Sequence, residues 1–234
     1  MNAAALLALQ DIDSALVSLA NRRPRLPELA AHRGAAAAMA NHLSAVLVAK
    51  DRIAAAQAAI EKAEHAASDL TAKRARLEAQ LKTIIAPREA EALMNQIATL
   101  NAQRGELDDQ ELAALDEQAE AENDLAMLEA RMPELEAAVV TAEAELQVAN
   151  GVLATEETAL LERRPVAAAA LSPAELAAYD RARSQFGGVA IARLEGHRCA
   201  GCHLDLSPAE MDAVKSVAEG VVPECPQCGR YLAR

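Results

Sequence analysis

A chain of 234 residues with a formal net charge of −12 has room for one ordinary globular domain or two small ones, yet its composition argues against the ordinary kind. Its only aromatic residues are Tyr179, Phe186 and Tyr231, while 59 residues are Ala. Alanine buries little area and is the best helix former, so a thick core is excluded and long helices packed along a thin seam are favoured.

The opening "MNAAALLALQDID" is apolar, but it lacks a basic n-region and acids follow at once, which argues against a signal peptide. No stretch of eighteen or more apolar residues is free of charge, so no transmembrane helix and no membrane partner are expected. The expected compartment is the reducing cytoplasm, where four cysteines read as metal ligands or redox groups before they read as disulfides. Leu6, Leu9, Ile12, Leu16 and Leu19 recur three and four apart and predict a short first helix, broken by Pro24 and Pro27.

A second helix is expected from about Glu28 to Ile85. Its heptad positions read Val46, Ile53, Ile60, Ala67, Arg74, Leu81 in one column and Ala49, Ala56, Ala63, Leu70, Leu77, Ile84 in the other, a coiled-coil seam with one charged exception. "IIAPREAEAL" interrupts it, with Pro87 suited to open a new helix and the turn near residues 85–89. The third helix is expected from about Arg88 to Arg163, its seam running from Leu93, Ile97 and Leu100 to Leu153 and Leu160. Gly105 and Gly151 weaken it and Pro133 is expected to kink it. Residues 1–88 carry a net charge of +4 and residues 89–162 a net charge of −17. A basic arm beside an acidic one favours an intramolecular antiparallel hairpin, with the first helix beside the far end of the third.

Beyond the hairpin, Ser172, Pro173 and Glu175 form a capping-box signature for a helix that ends before Gly187 and Gly188. "VAIARL" reads as a strand leading to Cys199-x2-Cys202. A second small helix is capped by Ser207 with Pro208 and Glu210, and "GVVPEC" and "GRYLAR" read as strands entering and leaving Cys225-x2-Cys228. Two residues between cysteines let a tight turn aim both sulfurs at one centre, and two such turns complete a tetrahedral thiolate set for one structural Zn2+. A thioredoxin-like redox pair would need one such motif within a βαβ unit, and none is present. His203 adjoins the first pair, but four thiolates already fill the shell. A region this small needs metal to supply folding energy.

The fold class is therefore mainly α: an antiparallel coiled-coil hairpin over 1–165, then a linker helix and a small α+β four-cysteine ribbon over 166–234. The hairpin followed by "LSPAELAAYDRARSQFGGVAIARLEGHRCAGCHLDLSPAEMDAV" and "PECPQCGRYL" resembles the bacterial C4-type zinc ribbon family, in its actinobacterial branch. The resemblance covers nearly the whole chain. It implies a non-enzymatic adaptor, and some members are linked to a sigma factor, secretion components or messenger RNA; no motif here carries those partners over.

No catalytic set is visible: there is no Gly-x-Ser-x-Gly turn and no phosphate-cradling glycine loop. The expected function is a zinc-binding adaptor or chaperone-like scaffold, without small-molecule substrate, a monomer or weak dimer, that binds partner proteins through the ribbon and coiled coil. The alternative is a nucleic-acid-binding ribbon, for which Arg181, Arg183, Arg193, Arg198, Lys215, Arg230 and Arg234 are the candidate contacts. The ribbon is expected to offer exposed strand edges, and Ile84 and Ile85 at the hairpin turn a second, smaller contact.

Overall fold

The structure, a computed structural model, describes residues 1–234. Helix α1 spans Ala3–Arg22, where the Asn2 side chain accepts a hydrogen bond from the Ala5 amide at 3.2 Å and starts the helix. Pro24 sits in a 3-10 turn, Arg23–Arg25, and Pro27 occupies the first turn of α2, where its missing N–H costs nothing. Helix α2 spans Pro27–Leu81 and helix α3 spans Pro87–Ala169. The chain divides into two compact units, Arg33–Thr141 and Met1–His32 with Ala142–Arg234.

In the first of these, α2 and α3 run antiparallel. His42 Nε2 meets the Leu128 carbonyl at 2.9 Å, Arg52 reaches Glu117 and Asp124, and Arg104 donates to Thr71, so positions rise on one helix as they fall on the other. Val46, Ala49, Ala56, Ile60, Ala63 and Ala67 of the expected seam are buried, as are Ala114 and Ala121 facing them. Arg74 is half-buried in the seam, with its guanidinium turned to Asn101 and Glu78. Helix α2 ends at Leu81, four residues short of the expected Ile85. The Thr83 amide and hydroxyl both donate to the Gln80 carbonyl and close the turn, and Pro87 keeps Ala86 out of the helical region. Helix α3 stays helical through Gly105, Pro133 and Gly151, and passes its expected end at Arg163 to continue through Pro165. It stops where the amides of Ala170 and Leu171 bond three residues back, tightening the last turn.

The other unit holds α1, the end of α3, helix α4 (Pro173–Gln185), and the ribbon. Both capping boxes form: Ser172 opens α4, and Ser207 opens α5 (Pro208–Ser216). The ribbon sheet is three-stranded, with β2 (Arg198–Cys199) antiparallel and β3 (Tyr231–Ala233) parallel to the central β1 (Ile191–Glu195). The segment "GVVPEC" is not a strand as expected. Pro223 has no N–H to give a ladder, and only an isolated bridge joins Glu224 to Tyr231. Leu6 and Leu9 of α1 are fully buried against Tyr179 of α4 and Ile191 of β1, so the ribbon's sheet is built partly on the first helix. One stretch of the N-terminal helices reaches a mean hydropathy of 1.5, apolar enough by composition to cross a membrane, and 39% of it is buried inside the protein. The burial of Leu6, Leu9, Ile12 and Leu19 is where the apolarity of α1 is spent.

Candidate metal centre

The two C-x-x-C turns have the same backbone plan. In the first, the His203 amide donates to the Cys199 carbonyl at 2.8 Å and the Cys199 amide to the Leu204 carbonyl at 3.1 Å. In the second, Gly229 donates to Cys225 and Cys225 to Arg230, both at 2.8 Å. Each turn needs a left-handed residue just after its second cysteine: Gly229 has φ 74°, and His203 has φ 61°, the only positive φ outside glycine. Gly201 is required for a different reason. A Cβ there would stand 2.9 Å from the Ala192 Cβ and 3.0 Å from the Arg230 Cδ. The Gly201 amide points instead at the Cys199 sulfur, 3.4 Å away.

These turns bring the Sγ atoms of Cys199, Cys202, Cys225 and Cys228 within 4.8 Å of one another. A tetrahedral zinc with bonds of about 2.3 Å needs sulfurs about 3.8 Å apart, and Cys202 and Cys225 stand at 4.0 Å. The donor set therefore fits zinc, and with four protein ligands it is a closed, structural site. Burial pushes the Cys225 thiol up to about 12, only partly offset by the Gln227 and Cys228 amides. Burial likewise raises Cys202. Burial acts on Cys228 too, but hydrogen bonding from the amide and side chain of Arg230, with the neighbouring thiols, overcomes it and leaves Cys228 at about 7. Bound zinc holds all four sulfurs as thiolates and ties the two turns together.

Behind the ligands lies a small core of Ala192, Leu206, Met211, Val214 and Leu232, and behind that a polar network that sequence reasoning missed. Gln10 of α1 accepts from the Ala190 amide at 2.7 Å and donates to the Gly188 carbonyl at 2.9 Å, holding the backbone just ahead of β1. Asp13, 1% exposed, accepts two hydrogen bonds from Arg164 of α3, at 2.7 and 3.2 Å, and one from the Tyr179 hydroxyl of α4 at 2.9 Å, with Arg183 at 3.4 Å. Burial pushes the Asp13 carboxyl up, but the bonds from Arg164 and Tyr179 and the two cationic charges outweigh it, so it titrates below its ordinary value. Burial and the bond to Asp13 raise the Tyr179 hydroxyl, which stays protonated as the donor. The signal for this network was in the sequence: Gln10 and Asp13 sit three apart on the apolar face of the first helix, among Leu6, Leu9 and Ile12.

The arginines proposed as contacts are largely committed within the protein. Arg183 faces Asp13, and Arg193 pairs with Asp11 at 2.6 Å. Arg198 donates to the His203 carbonyl, supporting the left-handed turn. Arg230 donates to the carbonyls of Val189 and Phe186 and lies 5.3 Å above the Phe186 ring. Arg234 donates to the carbonyls of Val214 and Lys215 in the last turn of α5 and of Val217 just beyond it. Arg181 and Lys215 are exposed. The expected open strand edges are occupied: Arg198 of β2 bridges to Asp205, and Tyr231 of β3 bridges to Glu224.

Residues 9–187 match the family model described as a CT398-like coiled coil hairpin domain, and residues 198–232 match a C4-type zinc ribbon domain. A curated relative, protein Rv2229c of Mycobacterium tuberculosis, is 29% identical over 98% of this chain and 94% of its own length. Among solved structures, CT398 of Chlamydia trachomatis covers 97% of this chain and 95% of its own, with a TM-score of 0.83 and 21% identity. A Mycobacterium smegmatis protein covers 100% and 99% with a TM-score of 0.80 at 19% identity, and HP0958 of Helicobacter pylori covers 97% and 94% with 0.63 at 18%. With its hairpin and its four-thiolate ribbon both matched, the chain belongs to the CT398-like coiled coil hairpin family and carries a C4-type zinc ribbon.

Proposed function

We propose that this protein is a non-enzymatic adaptor of the reducing cytoplasm, which binds partner proteins through its ribbon and its coiled coil. The carrying observation is the metal centre: four cysteine ligands leave no coordination position for a substrate, so zinc serves to hold a surface in shape. That surface is the ribbon with α4, where Leu204 and Val221 stand about half exposed. A protein partner is favoured over nucleic acid because the arginines around the ribbon are engaged with Asp11, Asp13 and backbone carbonyls, which leaves few cations for phosphates. The test is affinity purification of the zinc-loaded protein from its native cytosol, with and without nuclease, beside a Leu204→Asp/Val221→Asp variant. Partners that survive nuclease and are lost with the variant support the reading. Partners lost to nuclease alone assign the ribbon to nucleic acid.

A further inference from the structure

We propose that the tip of the α2–α3 hairpin is a docking site for an acidic segment of a partner protein, one that brings an apolar side chain to Ile85. The inference rests on the adaptor reading and gives it a second, chemically different contact.

Ile85 is 95% exposed, more than any other large apolar residue of the chain, and Ile84 beside it is half-buried. The turn holding them is built rather than loose, closed on one side by Thr83 on Gln80 and on the other by Pro87 opening α3. Charge at the tip is opposite to that of the arm below. Residues 70–105 hold six Lys or Arg against three acids, while residues 106–145 hold fourteen acids against one arginine. Two of the six cations have carboxylate partners on their own helix, Arg74 with Glu78 and Arg104 with Asp108. Lys73, Arg76, Lys82 and Arg88 have no carboxylate within ion-pairing distance. Lys73 and Arg76 open onto a groove of about 570 Å³ between the helices, lined also by Gln80, Gln96, Thr99 and Gln103. Amide and hydroxyl groups of this kind can bond a peptide backbone, and the unpaired cations call for carboxylates.

The geometry selects a protein segment over a flat anionic surface. Lys73 lies eight residues before the end of α2, about 12 Å down the helix. A bilayer plane meeting Ile85 would leave it behind, whereas a peptide running from Ile85 into the groove would use both. Nucleic acid would use the cations but has no need of Ile85, and no aromatic residue is at the tip for a base to stack on. A second copy of this chain is disfavoured because its long acidic arm would have to present the anchor, and that arm is already matched to the basic face of its own α2 at Arg52.

The test is selection from a random-peptide phage library on the full-length zinc-loaded protein, with every enriched peptide then assayed on an Ile85→Asp/Arg76→Glu variant. Circular dichroism should show the variant folded, since both side chains are outside the seam. The expected outcome is a set of tip-dependent peptides, net acidic around an apolar residue. A representative should bind at least ~10-fold more weakly to each of Ile85→Asp, Lys73→Glu and Arg76→Glu, and equally well to Lys62→Glu, which changes the same helix away from the tip. Enrichment of peptides that bind the variant unchanged, or of neutral or basic ones, overturns the proposal. So does tip-dependent binding of a uridine-rich RNA oligonucleotide or of phosphatidylglycerol vesicles in place of peptides. Peptides that depend only on Leu204 and Val221 would remove the tip site and leave the adaptor reading standing.

Discussion

His203 and Gly229 stand at the same place in the two knuckles, and only one of them is the residue that the backbone prefers. A left-handed conformation costs a non-glycine L-residue about 1–2 kcal/mol, and His203 adopts it at φ 61°. The Arg198 bond goes to its backbone carbonyl, so it survives a change of side chain. His203→Gly is therefore expected to stabilise the zinc-loaded ribbon by about 1 kcal/mol, read as a higher denaturation midpoint. A lower midpoint would mean that the imidazole makes a stabilising contact. Gly229→Ala should do the reverse, since its Cβ would also stand 3.1 Å from the Phe186 Cζ. Asp13 carries a second prediction. Its carboxyl titrates below the ordinary value, so its contribution to stability is intact above about pH 4, the unfolded value, and is lost as pH falls through the folded one. Asp13→Asn should cost about 2–4 kcal/mol at neutral pH, because Arg164 and Arg183 lose their common anion. The deficit relative to the parent should shrink on acidification below pH 4. A constant deficit from pH 7 to 3 would show that geometry, not charge, is what Asp13 supplies. The cysteine ligands were legible from spacing alone, whereas for Asp13 the sequence offered only an acid on an apolar helix face, without its partners. Its partners come from residues 164, 179 and 183, and no local pattern announces a contact across 150 residues.

Among the elements, the ones with local rules were readable in advance. The heptad seam of α2 and α3 and both capping boxes are set by residues three, four or seven apart. The helix ends were less so. Helix α3 passes Pro165, since a proline near the last turn gives up one hydrogen bond without ending the helix, and α2 stops early for a side-chain bond at Thr83. The largest omission was the place of α1. It reads as a short companion of the third helix, and it is that at Asp13, yet its Leu6 and Leu9 also form the core beneath β1. Gln10 joins the two roles. Gln10→Ala would leave the buried Ala190 amide without its acceptor and the Gly188 carbonyl without its donor, at a cost of about 2–4 kcal/mol. Zinc should then be lost to a chelator faster than from the parent, although Gln10 touches no ligand. An unchanged rate of loss would mean that the ribbon holds its metal independently of α1.

For the molecule as a whole, the division of the core predicts how it comes apart. One unit, Arg33–Thr141, is a pair of helices held by a seam and cross-helix pairs such as Arg52 with Glu117 and Asp124, and no metal ligand lies in it. The other contains all four cysteines, and its core joins α1, α4, β1 and β3. Removing zinc frees the two knuckles, and four thiols in so small a space cannot replace the lost bonds. The disturbance should not stop at Val189, where a self-contained ribbon would end. Ile191 and Ala233 share a core with Leu6 and Leu9, so exposing the sheet exposes one face of α1. Hydrogen exchange on the full-length protein with and without chelator measures this directly. The amides of residues 189–234 and of α1 should lose protection together, while those of residues 46–67 and 114–128 keep theirs. Far-ultraviolet circular dichroism should lose only a small part of its helical signal, because α2 and α3, of 55 and 83 residues, provide most of it. Protection retained in α1 would make the ribbon an independent module attached to the hairpin. Protection lost throughout residues 46–128 would make the whole chain one cooperative unit under the control of its metal.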